Sequence, residues 1–226
     1  VILVICFCLN LGILNILLSI KKIKKKIKVF NASSAQIFGN NKDNFYSELS
    51  NIAPTTPYAV SKASGYWLTK IFRENYNLFT CSGILFNHES PLRDNKFFTK
   101  KIVNTSKKMV KKKNLKLNLG DINIFRDWGW TPDYVEAMWL MLQQKKPTDL
   151  IIGSGKKHSL KEFVFETFKI LKLKKDRLRF NKKNLKRKND IKSYKANIKL
   201  TQKTLNWTPK TKFKQIVYKL INDQLF

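Results

Sequence analysis

Short apolar runs alternate along the chain with longer segments whose apolar residues recur every three or four positions, and that alternation predicts strands and helices in turn, the rhythm of a parallel α/β sheet. Val29 to Ser34 reads as a buried strand ending in small polar residues, followed by a Gly39-Asn40-Asn41 turn and a surface loop over residues 40–56. Thr56 is a candidate cap and Pro57 suits a first helical position, so a helix is expected from there to about Asn75. Phe79 to Phe86 predicts the next strand, with Asn87 to Pro91 a polar break at its carboxyl end. The pattern then predicts a basic helix over 97–113, a strand over 115–119, a loop at Arg126-Asp127-Trp128-Gly129, an apolar helix over 134–144 opened by Pro132-Asp133, and a strand over 149–153. Ser159 followed by Glu162 matches a capping box and opens a further helix. From residue 174 the chain is lysine-rich, and Trp207-Thr208-Pro209 precedes a last helix.

The first twenty residues carry no charge. As a helix they would span ~30 Å, enough for a bilayer core, and the six lysines within 21–28 would make a positive flank. A cleavable signal fits poorly, because the lysines follow the apolar run instead of preceding it. Asn10, Gly12, Asn15 and Ser19 interrupt the run, and a buried helix beside a parallel sheet is also apolar nearly all round, so anchor and core helix both stand at this point. The chain starts with Val, as a segment of a longer protein would.

Composition narrows the classes. With 226 residues and 43% hydrophobic side chains there is material for a real core, which excludes a disordered chain. Three cysteines cannot build a disulfide framework and two histidines make no recognisable zinc site, so a reducing, cytoplasmic setting without structural metal is expected. The 45 Lys+Arg against 15 Asp+Glu leave a formal charge of +30, which would suit phosphates. The lysines nevertheless fall in separated runs at 21–26, 107–113 and 182–188, with no zinc finger, RNA-recognition signature or basic zipper beside them. They read as a solvated surface, with no specific nucleic-acid partner.

Tyr58 and Lys62, four apart near the start of the predicted helix, share a face. A free phenol titrates near 10, and using one as a base near neutral pH takes about 4 kcal/mol of preferential phenolate stabilisation, toward which a neighbouring ammonium contributes. Ser33 and Ser34 end the preceding strand, at the carboxyl edge where open α/β sheets bind ligands, and a hydroxyl there can orient a substrate oxygen. Asn87 and His88 end the next strand in the same way and can reach phosphate, ribose or nicotinamide.

With TPYAVSKASGYW at 56–67, GILFNHESPLR at 83–93 and RDWGWTPDYVEAMWLMLQQ at 126–144, the chain resembles the extended short-chain dehydrogenases/reductases that act on nucleotide sugars, and within them the GDP-mannose 4,6-dehydratase family. Weaker similarity runs from NLGILNILLSI at 10–20 to NWTPKTKF at 206–213, which makes the apolar first segment a core helix. The resemblance implies a Rossmann-like lobe, residues 1–93 continued by 126–153 and lacking its first strands, with a small substrate lobe from 94–125 and 154–226. It further implies dehydration of GDP-mannose with NADP as cofactor in a chain that pairs with itself. Tyr58 would be the base and Lys62 its activator, Ser34 would stand at the family's catalytic threonine position, and Ser33, His88 and Arg93 would lie near the cofactor. Asn87, Arg126 and Arg187 would meet the sugar nucleotide.

Two departures bear on activity. The family's catalytic glutamate, two residues after the threonine, is Gln36 here, and an amide is no base near neutral pH. No G-x-x-G-x-x-G segment occurs to seat a pyrophosphate on a helix N-terminus, so weak cofactor binding is expected. A nucleotide-sugar 4-epimerase, which needs no elimination base, and an inactive chain with a basic binding surface are the alternatives.

Overall fold

A computed structural model describes residues 2–23, 26–40, 45–180 and 193–226, with side chains from residue 11 onward. Three strands, β1 (Val29–Ser34), β3 (Thr80–Leu85) and β7 (Leu150–Ile152), form a parallel sheet in the order β1-β3-β7. The register pairs Val29 with Thr80 and Ser34 with Leu85, so β1 and β3 finish side by side. Buried along almost its whole length, β3 has the small and apolar side chains that a central parallel strand requires.

Helices close both faces of this sheet. On one, α1 (Ile2–Ile23) lies along α2 (Pro57–Tyr76), burying Leu17 and Ile20 with Phe72 and Val29. On the other, Tyr134, Ala137 and Met141 of α4 (Thr131–Gln143) pack on Cys81, Leu150 and Ile152. Arg73 of α2 grips Asp149 with two hydrogen bonds of 2.8 and 2.6 Å and donates to the Thr80 carbonyl, which ties the entries of β3 and β7 to the helix. Among the described residues no helix is long and apolar enough to cross a membrane. From residue 11 onward α1 packs one face, Leu17 and Ile20, against α2 and β1, and leaves Leu11, Ile16 and Leu18 exposed, so it is a half-buried helix rather than the all-round core helix expected.

A second layer begins where β3 ends. There β4 (Asn87–Glu89) runs parallel to β6 (Phe125–Trp130), which pairs antiparallel with β8 (Lys157–Ser159). Behind them α3 (Phe98–Lys111), α5 (Leu160–Ile170) and α7 (Phe213–Ile221) enclose a core around Trp128, Phe163, Phe168 and Val217. The capping box is present: Ser159 Oγ accepts the Glu162 amide at 3.0 Å at the start of α5. Two short parallel pairs complete the fold, β2 (Phe45–Tyr46) with β10 (Lys195–Ala196) and β5 (Leu117–Leu119) with β9 (Leu178–Phe180).

Residues 126–129, expected as a loop, are strand. The reason is Asp127, wholly buried, whose carboxylate accepts the amides of Ser154 at 2.7 Å and Ala196 at 3.2 Å. Backbone donors replace water around this charge, so a polar-looking segment runs through the interior. The polar break after β3 likewise opens with the short strand β4, and the lysine-rich tail contributes β9, β10 and α6 (Lys199–Leu205) before its last helix.

Candidate active site

A cavity of about 740 Å³ opens at the carboxyl ends of β1 and β3, and its wall brings together Ser33, Ser34, Gln36, Tyr58, Lys62, Asn87, His88 and Arg93. Each is delivered by a local device. Thr56 Oγ1 accepts the Ala59 amide at 3.1 Å and Pro57 occupies the first turn, so α2 starts one residue before Tyr58 and puts it at the cavity mouth, 40% exposed. One turn later the Lys62 ammonium donates to the Ala32 carbonyl at 2.9 Å and lies 5.8 Å from the Tyr58 ring centroid. Burial lowers the Lys62 pKa.

Strand β1 ends in a 3₁₀ turn, Ala35–Phe38, capped by Ser34, whose Oγ accepts the Gln36 amide at 3.3 Å. That bond uses a lone pair, leaving the hydroxyl proton to be donated toward the cavity. The turn closes at Gly39, where φ is +64° and a Cβ would meet the Ala53 carbonyl oxygen at 2.0 Å, so only glycine fits. Ser33 donates to the Lys62 carbonyl at 3.4 Å, bracing β1 against the helix that carries the Tyr-Lys pair.

The end of β3 supplies the opposite wall. Tyr194 donates to Asn87 Oδ1 at 2.6 Å, which leaves the Asn87 amide as a donor. His88 Nδ1 lies 3.0 Å from the Phe86 carbonyl, so that nitrogen carries its proton; burial lowers the ring's pKa and keeps it neutral near pH 7. Arg93 donates to the His88 carbonyl, forms an ion pair of 3.5 Å with Glu89 Oε1 and lies 3.9 Å over the Phe97 ring. Glu89, 1% exposed, receives the Thr99 hydroxyl at 2.9 Å, and burial pushes its carboxyl up to about 7 against the opposing pull of Arg93.

The hydroxyls of Ser34 and Tyr58, the half-buried Lys62 ammonium, the Arg93 guanidinium and the neutral His88 imidazole thus converge on one space. Among the described residues no cluster of three or more His, Cys, Asp or Glu side chains is arranged to hold a metal ion. The family model for GDP-mannose 4,6 dehydratase matches residues 8–220. The chain belongs to the GDP-mannose 4,6-dehydratase family.

Among relatives of this family, GDP-mannose 4,6 dehydratase 1 of Arabidopsis thaliana is 38% identical over 202 residues, covering 89% of this chain and 55% of its own length. GDP-mannose 4,6 dehydratase of Dictyostelium discoideum is 44% identical over 162 residues, covering 71% of this chain and 46% of its own length. The chain therefore spans about half the length of the relatives it matches. Among solved structures, RMD from Pseudomonas aeruginosa complexed with NADPH superposes with a TM-score of 0.85 at 20% identity, over 95% of this chain and 72% of that one. The dTDP-glucose 4,6-dehydratase of Bacillus anthracis in complex with NAD gives 0.83 at 21% identity, over 93% and 65%. Both likenesses establish the Rossmann-type fold.

One expected site residue, Arg126, is not part of the cavity wall. Arg126 is buried on β6, donating to the Phe125 carbonyl at 2.8 Å with its guanidinium 5.1 Å over the Tyr194 ring. It backs the residue that orients Asn87. Arg187 lies outside the described residues. Tyr194 and Glu89 escaped the sequence reading: Tyr194 sits among lysines with no local pattern, and Glu89 lay within a recognised motif as a residue without an assigned partner.

Proposed function

We propose that the chain carries the catalytic half of a GDP-mannose 4,6-dehydratase, a lyase converting GDP-mannose to GDP-4-keto-6-deoxymannose with NADP. The observation that carries this reading is the Tyr58–Lys62 pair on one helix face beside the Ser34 hydroxyl, in a cavity whose far wall offers Asn87, His88 and Arg93. The relatives' names supply the substrate, and the P. aeruginosa neighbour was solved with NADPH, the B. anthracis one with NAD. The lining suits a nicotinamide riboside: the ammonium of Lys62 and hydroxyl of Tyr58 suit ribose-type oxygens, the unprotonated Nε2 of His88 can accept from an amide N–H, and the Arg93 guanidinium suits a phosphate.

A nicotinamide held by Lys62, Tyr58, His88 and Arg93 would supply a reversible hydride acceptor for the sugar. The protein's part is proton handling. Tyr58, as phenolate, accepts the proton of the sugar 4-hydroxyl; Lys62, pinned by the Ala32 carbonyl, stabilises that phenolate; Ser34 donates to the same oxygen and fixes its direction. Gln36 occupies the position from which the family's glutamate removes the C5 proton, and its amide lacks the basicity for that step. We therefore read the chain as oxidising C4 faster than it eliminates water.

The division into a nucleotide-binding lobe and a substrate lobe draws support from the α1–α2 cluster, which holds residues of the first lobe alone, while the clusters around α4 and around α5–α7 each take residues from both, Leu205 and Trp207 in the one and Trp128 and Trp130 in the other. Self-association is supported by exposed apolar side chains on neighbouring helices, Leu11, Ile16 and Leu18 of α1 with Val60, Trp67 and Ile71 of α2. A cytoplasmic setting is supported by the absence of a disulfide framework.

The test is to incubate the purified chain with GDP-mannose and NADP and follow reduced cofactor and 4-keto product together. Reduced cofactor ahead of product is expected; a folded chain giving neither contradicts the reading.

A further inference from the structure

A second cavity, of about 850 Å³, opens between α5, α7 and the β8 hairpin, and shares no lining residue with the first. One side of it is aromatic. The Phe213 ring, at the start of α7, stacks on His158 at 3.9 Å and 10° and on Trp128 at 5.9 Å and 24°, making a continuous three-ring wall. Phe165 of α5 adds a further ring to the lining. The other side is cationic: Lys156, Lys169, Lys175, Lys212 and Lys214 line it against two carboxylates. One of those, Glu162, is already engaged by His158 Nδ1 at 2.7 Å.

An independent observation points to a missing acceptor. Trp128 is 1% exposed, lines this cavity, and its indole N–H has no hydrogen-bond partner among the described residues. Buried donors are paired in nearly all folded proteins, and an unpaired one in a cavity wall is relieved by a ligand that brings an acceptor. A volume of this size is that of a small-molecule site, mostly apolar with a few convergent polar groups.

We propose that this second cavity binds an aromatic anion, a flat ring system bearing a carboxylate or a phosphate. The ring lies along the Trp128–Phe213–His158 wall, and the acid group meets the lysines, which as point charges accept either headgroup. This site is separate from the proposed catalytic cavity and does not depend on its assignment.

The test is calorimetric titration of the full chain with 1-naphthoate and, separately, 1-naphthyl phosphate. At least one is expected to bind saturably at one per chain, and the tighter of the two identifies the headgroup. Lys169→Glu combined with Lys214→Glu, both on exposed side chains, should weaken binding about tenfold, and Trp128→Phe, which keeps a ring but removes the N–H, by several-fold. Arg93→Ala, in the first cavity, should leave the affinity unchanged. Absence of saturable binding by either probe, or a double variant that binds as well as the parent, overturns the proposal. So does loss of binding in Arg93→Ala with retention in the double variant, which would locate the probe in the first cavity. Should Trp128→Phe fail to fold by circular dichroism, the surface double variant decides alone.

Discussion

The two walls of the proposed catalytic cavity are built in different ways. On the β1–α2 side, Ser34 caps the turn carrying Gln36 two residues on, Thr56 caps the helix carrying Tyr58, and Lys62 follows one turn later. On the β4 side, Asn87 is oriented by Tyr194 from 107 residues away, and the strand beside it is held by Asp127, whose partner amide at Ala196 is 69 residues distant. Chemistry that must hold a fixed spacing is encoded in short segments, while the frame that keeps the walls facing each other depends on pairings between remote ones. The first wall is accordingly sensitive in rate and tolerant in stability, the second the reverse.

The sharpest way to break that contrast is Tyr58→Phe. C4 oxidation, read as reduced cofactor, should fall by about 10² to 10⁴, with thermal unfolding unchanged because the side chain is 40% exposed. Phe163→Ala acts in the opposite sense. It empties a fully buried ring from the core against Trp128 and Phe213 and should cost about 3–5 kcal/mol in chemical denaturation.

Legibility followed the same division. The Tyr58–Lys62 spacing, the Thr56-Pro57 start, the two serines closing a strand and the Ser159–Glu162 cap were readable because each works through neighbours within four residues. Arg126 to Gly129 was misread as a loop because hydropathy sees an arginine and an aspartate, not the amides of Ser154 and Ala196 that pair Asp127 in the interior. Tyr194 was invisible for the same reason, its role existing only once residue 87 arrives beside it.

Glu89 combines both kinds of dependence, since it sits in a local motif but owes its state to burial. Its ordinary value of 4.5 is raised to about 7, so the folded chain holds a proton there that the unfolded chain releases. Stability from this group is full below pH 4.5, declines as pH rises toward 7 and stays lower above it, by up to about 3 kcal/mol. Glu89→Gln, compared with the parent by denaturation at pH 5 and pH 8, should flatten that decline. An unchanged slope would mean the carboxyl is ionised throughout. The smallest effect belongs to Tyr194→Phe, which deprives Asn87 of one hydrogen bond and should cost about 1 kcal/mol while weakening substrate binding more than it slows turnover.

The central claim is that this cavity is set up for oxidation at C4 and is limited at elimination by Gln36. It is tested most directly by comparing the parent chain with Gln36→Glu, both supplied with GDP-mannose and NADP, and measuring the ratio of 4-keto-6-deoxy product to reduced cofactor. The account predicts that the carboxylate raises that ratio by about 10² or more with oxidation little changed. Equal ratios in the two chains would contradict it.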